Sequence, residues 1–317
     1  TNDDANFADK KGKTVDAEDA KTKIQSVEKD NAGNLVVTYT DGSKDTRPLS
    51  EFVTLDKQPA IEAVEKAAEA QIAAINNTPN ATDAEKTAAI AKVNADKEKA
   101  LAEIAKPEVT TKEAVDAAKT AGTGEIAKEN PVAKEAAKKA IADALKAKEA
   151  EIAGRDDLTN EEKDAAKAEA KKLADAQLAE IAKQPDVAAT PEAAATAQTA
   201  VDGAKDKGVA DVTAVNPAAT KKPEAKKAID DALKAKEAAI DARTNLTDDE
   251  KKAAKEAAKA EADKAKAAID AATTDAAVDT AKTAGTGAVE AVTPVAKAEA
   301  KKAIADALKA KEAEIAG

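Results

Sequence analysis

The chain has 317 residues, of which 35% are charged, and its formal net charge is −11. It contains no histidine and no cysteine, which excludes serine–histidine–aspartate and cysteine–histidine catalysis as well as Cys/His zinc sites. The acidic balance and the 1% of aromatic residues argue against nucleic-acid binding, which relies on cationic contacts to phosphate and on base stacking. We therefore expect no enzyme, no cofactor and no metal site.

The size and composition of the chain also limit its core. A single hydrophobic core rarely grows beyond about 250–300 residues, so we expect several domains. Alanine accounts for 88 residues, and large apolar side chains are correspondingly few. The helices should therefore form thin bundles with narrow apolar seams. No run of about 18 apolar residues is present, so no membrane-spanning helix is predicted.

Residues 1–57 differ from the rest because they contain every aromatic residue and every serine of the chain. The β-rich run 34–41 ends in an Asp-Gly turn signal, and the segments 23–29 and 44–53 could pair with it. We interpret this region as a small three-stranded meander. Pro48 is expected at an edge or a strand end, because proline cannot donate to a β-ladder.

Beyond residue 57 the chain repeats itself, which is the most informative pattern in the sequence. One start signal, a threonine followed three residues later by a glutamate, occurs at Thr82, Thr159 and Thr247. An isoleucine lies seven residues before each threonine, and a fourth, Ile315, stands near the end. Successive isoleucines are 77, 88 and 75 residues apart. The stretch 137–154 recurs identically at 300–317.

Each repeat predicts three helices, which we call A, B and C. Helix A is exemplified by 132–153, helix B by 159–184 and helix C by 111–121. The threonine and glutamate that begin helix B form a capping box. Helix C has the same signature at Thr110 and Glu113. Its C-terminus is expected at paired glycines, namely Gly122-Thr123-Gly124 and Gly285-Thr286-Gly287.

The predicted fold is mostly α, with tandem three-helix-bundle repeats in an elongated array, preceded by a small β-rich module at 1–57. The repeats are assigned to residues 58–130, 131–218 and 219–293. Residues 294–317 are interpreted as a terminal partial repeat whose helix closes the preceding bundle. The third repeat should be the weakest, because its helix B offers almost only alanine as an apolar residue.

A family resemblance follows from residues 72–126, IAAINNTPNATDAEKTAAIAKVNADKEKALAEIAKPEVTTKEAVDAAKTAGTGEI. This run resembles a helical repeat of unknown function found in tandem in giant cell-wall-anchored surface proteins of Gram-positive cocci, including extracellular-matrix-binding and biofilm-associated ones. The matching positions are the Asn-x-Thr-x-x-Glu-Lys start of helix B and the Ala-Lys-Thr-x-Gly end of helix C. The resemblance implies a spacer or stalk without catalytic activity, on an extracellular protein whose signal peptide and anchor lie outside this fragment.

Three functions remain open from the sequence. The first is a structural stalk, a monomeric rod that projects a binding domain from the cell wall. The second is a module that binds a host matrix or serum protein, or that mediates homophilic biofilm adhesion. For it, the first residues to consider are Tyr39, Arg47 and Phe52. The third is a chain that stays disordered because of its low hydrophobicity, against which the capping boxes argue.

The carboxylate clusters are interpreted as structural. Asp30 and Asn34 bound a segment with some likeness to a calcium loop, but its glycine stands at the wrong position, so we expect a hairpin turn. The acidic clusters Glu161-Glu162 and Asp248-Asp249-Glu250 fall in the first turn of a predicted helix, where acids favour the helix dipole. No catalytic, cofactor-binding or metal-binding residue is therefore assigned.

Overall fold

The computed structural model describes residues 7–8, 14–15, 23–49 and 55–317. The protein is 71% helical, with ten helices and a small antiparallel sheet that precedes them in the described parts of the chain. The predicted fold class, mostly α with tandem three-helix bundles after a β-rich module, is confirmed. The chain divides into two compact units, Thr1–Pro131 with Val187–Ala194, and Val132–Asp186 with Ala195–Gly317.

The helices follow one another with short connections. They are α1 (Gln58–Asn76), α2 (Asp83–Ala105), α3 (Lys112–Ile126), α4 (Glu135–Ala153), α5 (Asn160–Lys183), α6 (Pro191–Ala214), α7 (Lys221–Asp241), α8 (Asp248–Ala271), α9 (Asp275–Ala291) and α10 (Ala298–Ala316). The strands are β1 (Phe7–Ala8), β2 (Thr14–Val15), β3 (Ile24–Lys29), β4 (Asn34–Tyr39), β5 (Lys44–Pro48), β6 (Asn130–Pro131) and β7 (Val187–Ala188). Three bundles result: bundle 1 (α1–α3), bundle 2 (α4–α6) and bundle 3 (α7–α9).

The predicted three-stranded meander is present, in the order β3-β4-β5. Pro48 ends the edge strand β5, where it pairs with Asn34, as expected for a residue that cannot donate to a ladder. In the first turn an Asp30 carboxylate oxygen accepts hydrogen bonds from the backbone N–H groups of Ala32 and Asn34 at 2.9 and 2.7 Å. Gly33 has φ of +85° in this turn. Asp30 thus closes a hairpin turn.

Each bundle core is a narrow seam of alanine with a few larger side chains. In bundle 1 the fully buried residues include Val64, Val93 and Ile104, all 0% exposed. In bundle 3 the buried positions of α8 are alanines until Ile269, as the sequence predicts. A helix that contributes alanine buries little apolar area but approaches its neighbour closely.

The threonine caps of helix B are confirmed. The hydroxyls of Thr82, Thr159 and Thr247 each accept a hydrogen bond from the backbone N–H of the third helical residue, and each glutamate there bonds back to the cap. Helix C is capped by Thr111 and not by Thr110, because the Thr111 hydroxyl accepts from Ala114 N at 3.1 Å. The register of helix C therefore starts one residue later than predicted.

The prediction that paired glycines end helix C is wrong. α3 continues to Ile126 and α9 to Ala291, both beyond the glycines. A Cβ atom on Gly285 would lie 2.3 Å from the Cβ of Ala265 in α8, and one on Gly122 would lie 2.3 Å from that of Ala100 in α2. The first glycine of each pair therefore provides the point where helices B and C touch.

We predict opposite effects from alanine at the two glycines of α9. Gly285→Ala should destabilise bundle 3 by about 1–3 kcal/mol, because the new methyl group overlaps the Ala265 side chain. The matched control Gly287→Ala should stabilise it by about 0.5–1 kcal/mol, since a Cβ there meets no atom within 4 Å and alanine favours the helix. Urea unfolding followed by circular dichroism measures both. Equal effects would contradict the close-approach role.

Helix α10 contributes no side chain to a bundle core. It contains no buried residue, whereas the core of bundle 3 is formed by α7, α8 and α9. The closing role expected for 294–317 is therefore corrected. In sequence α10 repeats α4, the first helix of bundle 2, and each bundle begins with this helix type, so the order within a bundle is A, B, C.

Candidate functional site

The sequence candidates for binding lie in the sheet. Across the strands, Arg47 pairs with Leu35 and Ile24 pairs with Tyr39. Leu35 and Tyr39 are four positions apart on β4, so their side chains lie on the same face of the sheet. Arg47 and Tyr39 thus occupy opposite ends of one sheet face. The Arg47 Nε donates to an Asp45 carboxylate oxygen at 3.0 Å. The third candidate, Phe52, lies outside the described residues.

Two apolar side chains on this sheet face are exposed to solvent. Ile24 is 61% exposed and Val27, which pairs with Val37, is 52% exposed. The face thus combines exposed aliphatic groups with the half-buried Tyr39 and Arg47. It forms the most apolar exposed surface of the described part of the sheet.

Neither a metal cluster nor a membrane-spanning helix is found within the described residues. No group of three or more His, Cys, Asp or Glu side chains there could hold a metal ion. No helix among them is both long and apolar enough to cross a bilayer. The acidic clusters lie in first helical turns, as predicted, and two of their glutamates take part in a contact that sequence reasoning missed.

That contact is the joint between bundles 2 and 3, whose contacting residues all lie in the second compact unit. One side of the joint is the α4–α5 connection with the start of α5, residues 155–162. The other side is the start of α7, residues 220–222, and the α8–α9 connection, residues 273–275. The two bundles therefore meet through their ends.

Glu162 caps two helices at once in the joint. One carboxylate oxygen, Oε2, accepts from the backbone N–H of Thr159 at 3.0 Å and completes the capping box of α5. The other, Oε1, accepts from the backbone N–H groups of Thr220 and Lys221 at 2.9 and 3.0 Å, and from the Thr220 hydroxyl at 2.8 Å. These are the unsatisfied donors at the start of α7. A single carboxylate thus ties the start of one bundle to the end of the previous one.

A buried lysine ties the same ends from the other side. Lys222 is only 5% exposed, and its ammonium donates to the backbone carbonyls of Asp156 at 2.7 Å and Asp270 at 2.8 Å. Asp270 lies in the last turn of α8, where a cation favours the carbonyl end of the helix. Asp156 belongs to bundle 2, so the lysine bridges both bundles.

This lysine is a repeated feature of helix A. Lys57, Lys134 and Lys222 each lie 18 residues before the anchor isoleucine of their repeat. Lys57 donates to the carbonyls of Ile104 and Lys106 at 2.8 and 3.2 Å, and Lys134 donates to that of Gln184 at 2.8 Å. In every bundle the lysine therefore satisfies carbonyls at the end of helix B. The fixed spacing to the isoleucine is the sequence signal that could have revealed it.

Backbone groups complete the joint. The N–H of Asn160 donates to the Thr273 carbonyl at 2.8 Å, and the N–H of Asp275 donates to the Glu161 carboxylate at 3.0 Å. Arg155 pairs with Asp157 at 2.7 Å and also donates to the Pro217 carbonyl at 3.2 Å. Since so many partners are backbone atoms, the joint fixes the two ends with few sequence-specific side chains.

Glu162 in the joint and Glu250, the equivalent glutamate at the start of α8, have strongly lowered pKa values. Burial raises the pKa of Glu162, but the backbone N–H donors of Thr159, Lys221 and Thr220 outweigh burial and lower it from 4.5 to about 2. The pKa of Glu250 is also about 2, because the N–H groups of Ala298, Lys297 and Thr247 donate to its carboxylate. Both carboxylates therefore stay ionised in the folded protein at pH values well below the ordinary pKa of a glutamate.

We predict an acid-sensitive contribution from Glu162. A carboxyl whose folded pKa is lowered contributes stability fully above its unfolded pKa near 4.5 and loses it as the pH falls through about 2. Glu162→Gln should cost about 1–3 kcal/mol at neutral pH, because the amide keeps one acceptor oxygen and its NH2 group cannot accept the N–H hydrogen bonds that the other carboxylate oxygen receives. The stability gap between wild type and variant, measured by urea unfolding from pH 7 to pH 2, should close on acidification. A gap independent of pH would contradict this role.

Loss of the bridging lysine should also destabilise the second unit. Lys222→Met keeps much of the apolar stem but leaves two carbonyls without their buried donor, which should cost about 1–3 kcal/mol. The matched control is Lys234→Met on the exposed side of α7, for which we expect no more than about 0.5 kcal/mol. Thermal unfolding by circular dichroism compares the two variants. Similar midpoints would show that the bridge contributes little.

Comparison with known families agrees with the A, B, C order of the helices within each bundle. Residues 56–134 and 221–297 match the family described as Domain of Unknown Function (DUF1542). These two segments, which together cover just under half of the chain, are therefore similar to the DUF1542 repeat. Both matches run from the start of helix A to the start of the next helix A, so their limits follow the A, B, C order of the bundles. No curated protein and no solved structure matches the chain.

The match confirms the family resemblance drawn from the sequence. DUF1542 is a repeat family of Gram-positive surface proteins, and no catalytic family is indicated. Bundle 2, whose three helices fall between the two matches, has the longest helix C: α6 has 24 residues, against 15 in α3 and 17 in α9. This extra length accounts for much of the wider spacing between its isoleucine and the next one.

Proposed function

We propose that the chain is a non-enzymatic stalk of a bacterial cell-surface adhesin, which projects a binding domain from the cell wall. The observation that carries the proposal is the end-to-end joint of bundles 2 and 3. There Glu162 and Lys222 attach the start of one repeat to the end of the previous one. A repeat attached in this way adds to the length of an array rather than to a common core.

The helix surfaces support the same role. Many exposed lysines form ion pairs with acids three or four residues away, such as Lys139 with Asp143 and Lys207 with Asp211. Each such pair contributes only a few tenths of a kcal/mol and remains solvated. A surface of interspersed charges with a net charge of −11 opposes self-association. Such a surface suits a monomeric rod in an extracellular setting.

Scattering in solution tests the stalk proposal directly. Bundles of helices of about 24 residues are about 36 Å long, so an extended chain of three bundles and a sheet module should reach roughly 120–150 Å. The radius of gyration should be about 40 Å, against about 20 Å for a compact globule of this length. Small-angle X-ray scattering distinguishes the two, and a value near 20 Å would reject the stalk.

A variant of the joint sharpens this experiment. The combination Glu162→Ala with Lys222→Met removes both attachments between bundles 2 and 3 and should broaden the distribution of interatomic distances. The matched control combines Glu256→Ala with Lys234→Met. Both positions are exposed and lie in bundle 3, so this control should leave the distribution of distances unchanged. An unchanged profile for both variants would show that Glu162 and Lys222 do not set the arrangement of the bundles.

A second function, binding of a matrix or serum protein, is supported by the sheet face with exposed Ile24 and Val27. Apolar groups that stay exposed in a small sheet suit an interaction surface. Val27→Lys should then abolish binding to a panel of purified matrix and serum proteins in surface plasmon resonance. Glu28→Lys, on the opposite face, should not. The absence of binding by the wild-type chain across the panel would count against this second function.

A further inference from the structure

Helix α10 exposes an apolar stripe along its length. Ile304, Leu308 and Ile315 are 71%, 59% and 76% exposed. These residues share one side of the helix, as their spacing of four and seven residues requires. The rest of the helix consists of alanine and charged residues, so these three side chains are its large apolar groups, and all three are exposed.

The same sequence is buried elsewhere in the chain. Residues 300–317 are identical to residues 137–154, which contain most of α4. In α4 the counterparts of Ile304 and Ile315 are Ile141 and Ile152, which are 0% and 1% exposed. There, a Cβ placed on Gly208 of α6 would lie 2.9 Å from the Ile141 Cδ1 and 3.0 Å from the Gln177 Cβ of α5. Helices B and C of bundle 2 therefore cover this side chain.

The start of α10 is already attached as the start of a bundle. Glu250 Oε2 accepts from Thr247 N at 3.1 Å, while Oε1 accepts from the backbone N–H groups of Lys297 and Ala298 at 2.6 and 2.8 Å. Glu162 makes the same divided contact with the start of α7. Bundle 3 thus holds α10 by its first turn, as bundle 2 holds α7.

The end of bundle 3 also presents the remaining half of a joint. Asp248 and Asp249 occupy the positions of Asn160 and Glu161, whose groups contact the α8–α9 connection. Asp248 and Asp249 are both exposed. The surface that would receive the connection between two further helices is therefore in place beside α10.

We propose that α10 and the end of bundle 3 form a docking site for a helical hairpin with the sequence character of α5–α6, the B and C helices of another repeat. The hairpin would cover Ile304, Leu308 and Ile315 with an alanine–isoleucine seam. The carbonyls at the end of its first helix would accept the ammonium of Lys297, which lies at the position of Lys134 and Lys222. The first helix of a bundle would then act as the surface on which the other two helices fold.

The α10 helix of a second copy is a poorer occupant. A pair of such helices would bury three large apolar side chains from each copy, whereas stable interfaces bury about 1,200–2,000 Å². It would also leave Asp248, Asp249 and Lys297 without the partners that their counterparts have in the joint. The inference does not require the stalk function, because docking is measured by binding and the stalk by scattering.

The direct test adds the hairpin to the full chain. A peptide of residues 156–219 with an N-terminal fluorophore is titrated with the 317-residue chain, and fluorescence anisotropy reports binding. We expect saturation at one peptide per chain with a gain of helical circular dichroism. Ile304→Asp with Ile315→Asp in the chain should weaken binding at least a hundredfold. Lys297→Met should weaken it at least threefold.

A matched control uses positions of α10 outside the apolar stripe. Ala305→Asp with Ala310→Asp introduces the same number of charges at positions whose counterparts in α4, Ala142 and Ala147, are exposed. This control should bind the peptide as the wild type does. Binding that survives the substitutions at Ile304 and Ile315 would place the peptide elsewhere and overturn the proposal. A chain dimer lost with those same substitutions, seen by light scattering, would also overturn it.

A covalent version excludes failure of the free peptide to fold. Residues 155–219 are appended after Gly317, which reproduces the Gly154–Arg155 connection of bundle 2 because Gly317 corresponds to Gly154. The appended segment should gain helix and resist protease, and Ile304→Asp should restore cleavage of that segment alone. If the appended segment stays unfolded and sensitive to protease, α10 does not template a bundle and the proposal is rejected.

Discussion

The sharing of one capping carboxylate between two helices is the interaction on which the described arrangement of repeats depends. A helix start leaves backbone N–H groups without intrahelical partners. Glu162 satisfies those of α5 with one oxygen and those of α7 with the other. Glu250 repeats this between α8 and α10. The glutamate in the first turn of the second helix therefore also fixes the position of the next helix A.

A second constraint comes from the scarcity of large side chains. With alanine at most buried positions of α8, the bundle must gain contact through close approach rather than through volume. Gly285 serves this approach, since any Cβ there would overlap Ala265. Buried Lys222 then satisfies carbonyls that small side chains could not reach. The alanine-rich composition therefore has three consequences, which are the close approach of the helices, the glycine at their contact and the long lysine that reaches the helix end.

Several elements could be predicted because their signals are local. The capping boxes at Thr82, Thr159 and Thr247 depend on residues three apart, and the hairpin turn at Asp30 depends on its neighbours. The glycines of helix C were misread because a glycine that ends a helix and one that permits contact look alike in sequence. Only a neighbouring helix distinguishes them. The candidate site in the joint was missed for the same reason, as its partners lie 48 or more residues apart.

By itself, the sequence determined the mostly helical fold, the repeat period, the start of each second helix and the family resemblance. The fold, the period and the helix starts follow from periodicity and from hydrogen bonds between near neighbours, whereas the resemblance rests on the run of residues 72–126. The tertiary structure alone decided that α10 contributes nothing to the core of bundle 3, that Lys222 bridges two bundles and that Glu162 caps two helices. A carboxylate has two oxygens, and the sequence shows the local partner of one of them. The partner of the other is brought near only when the next bundle folds against it.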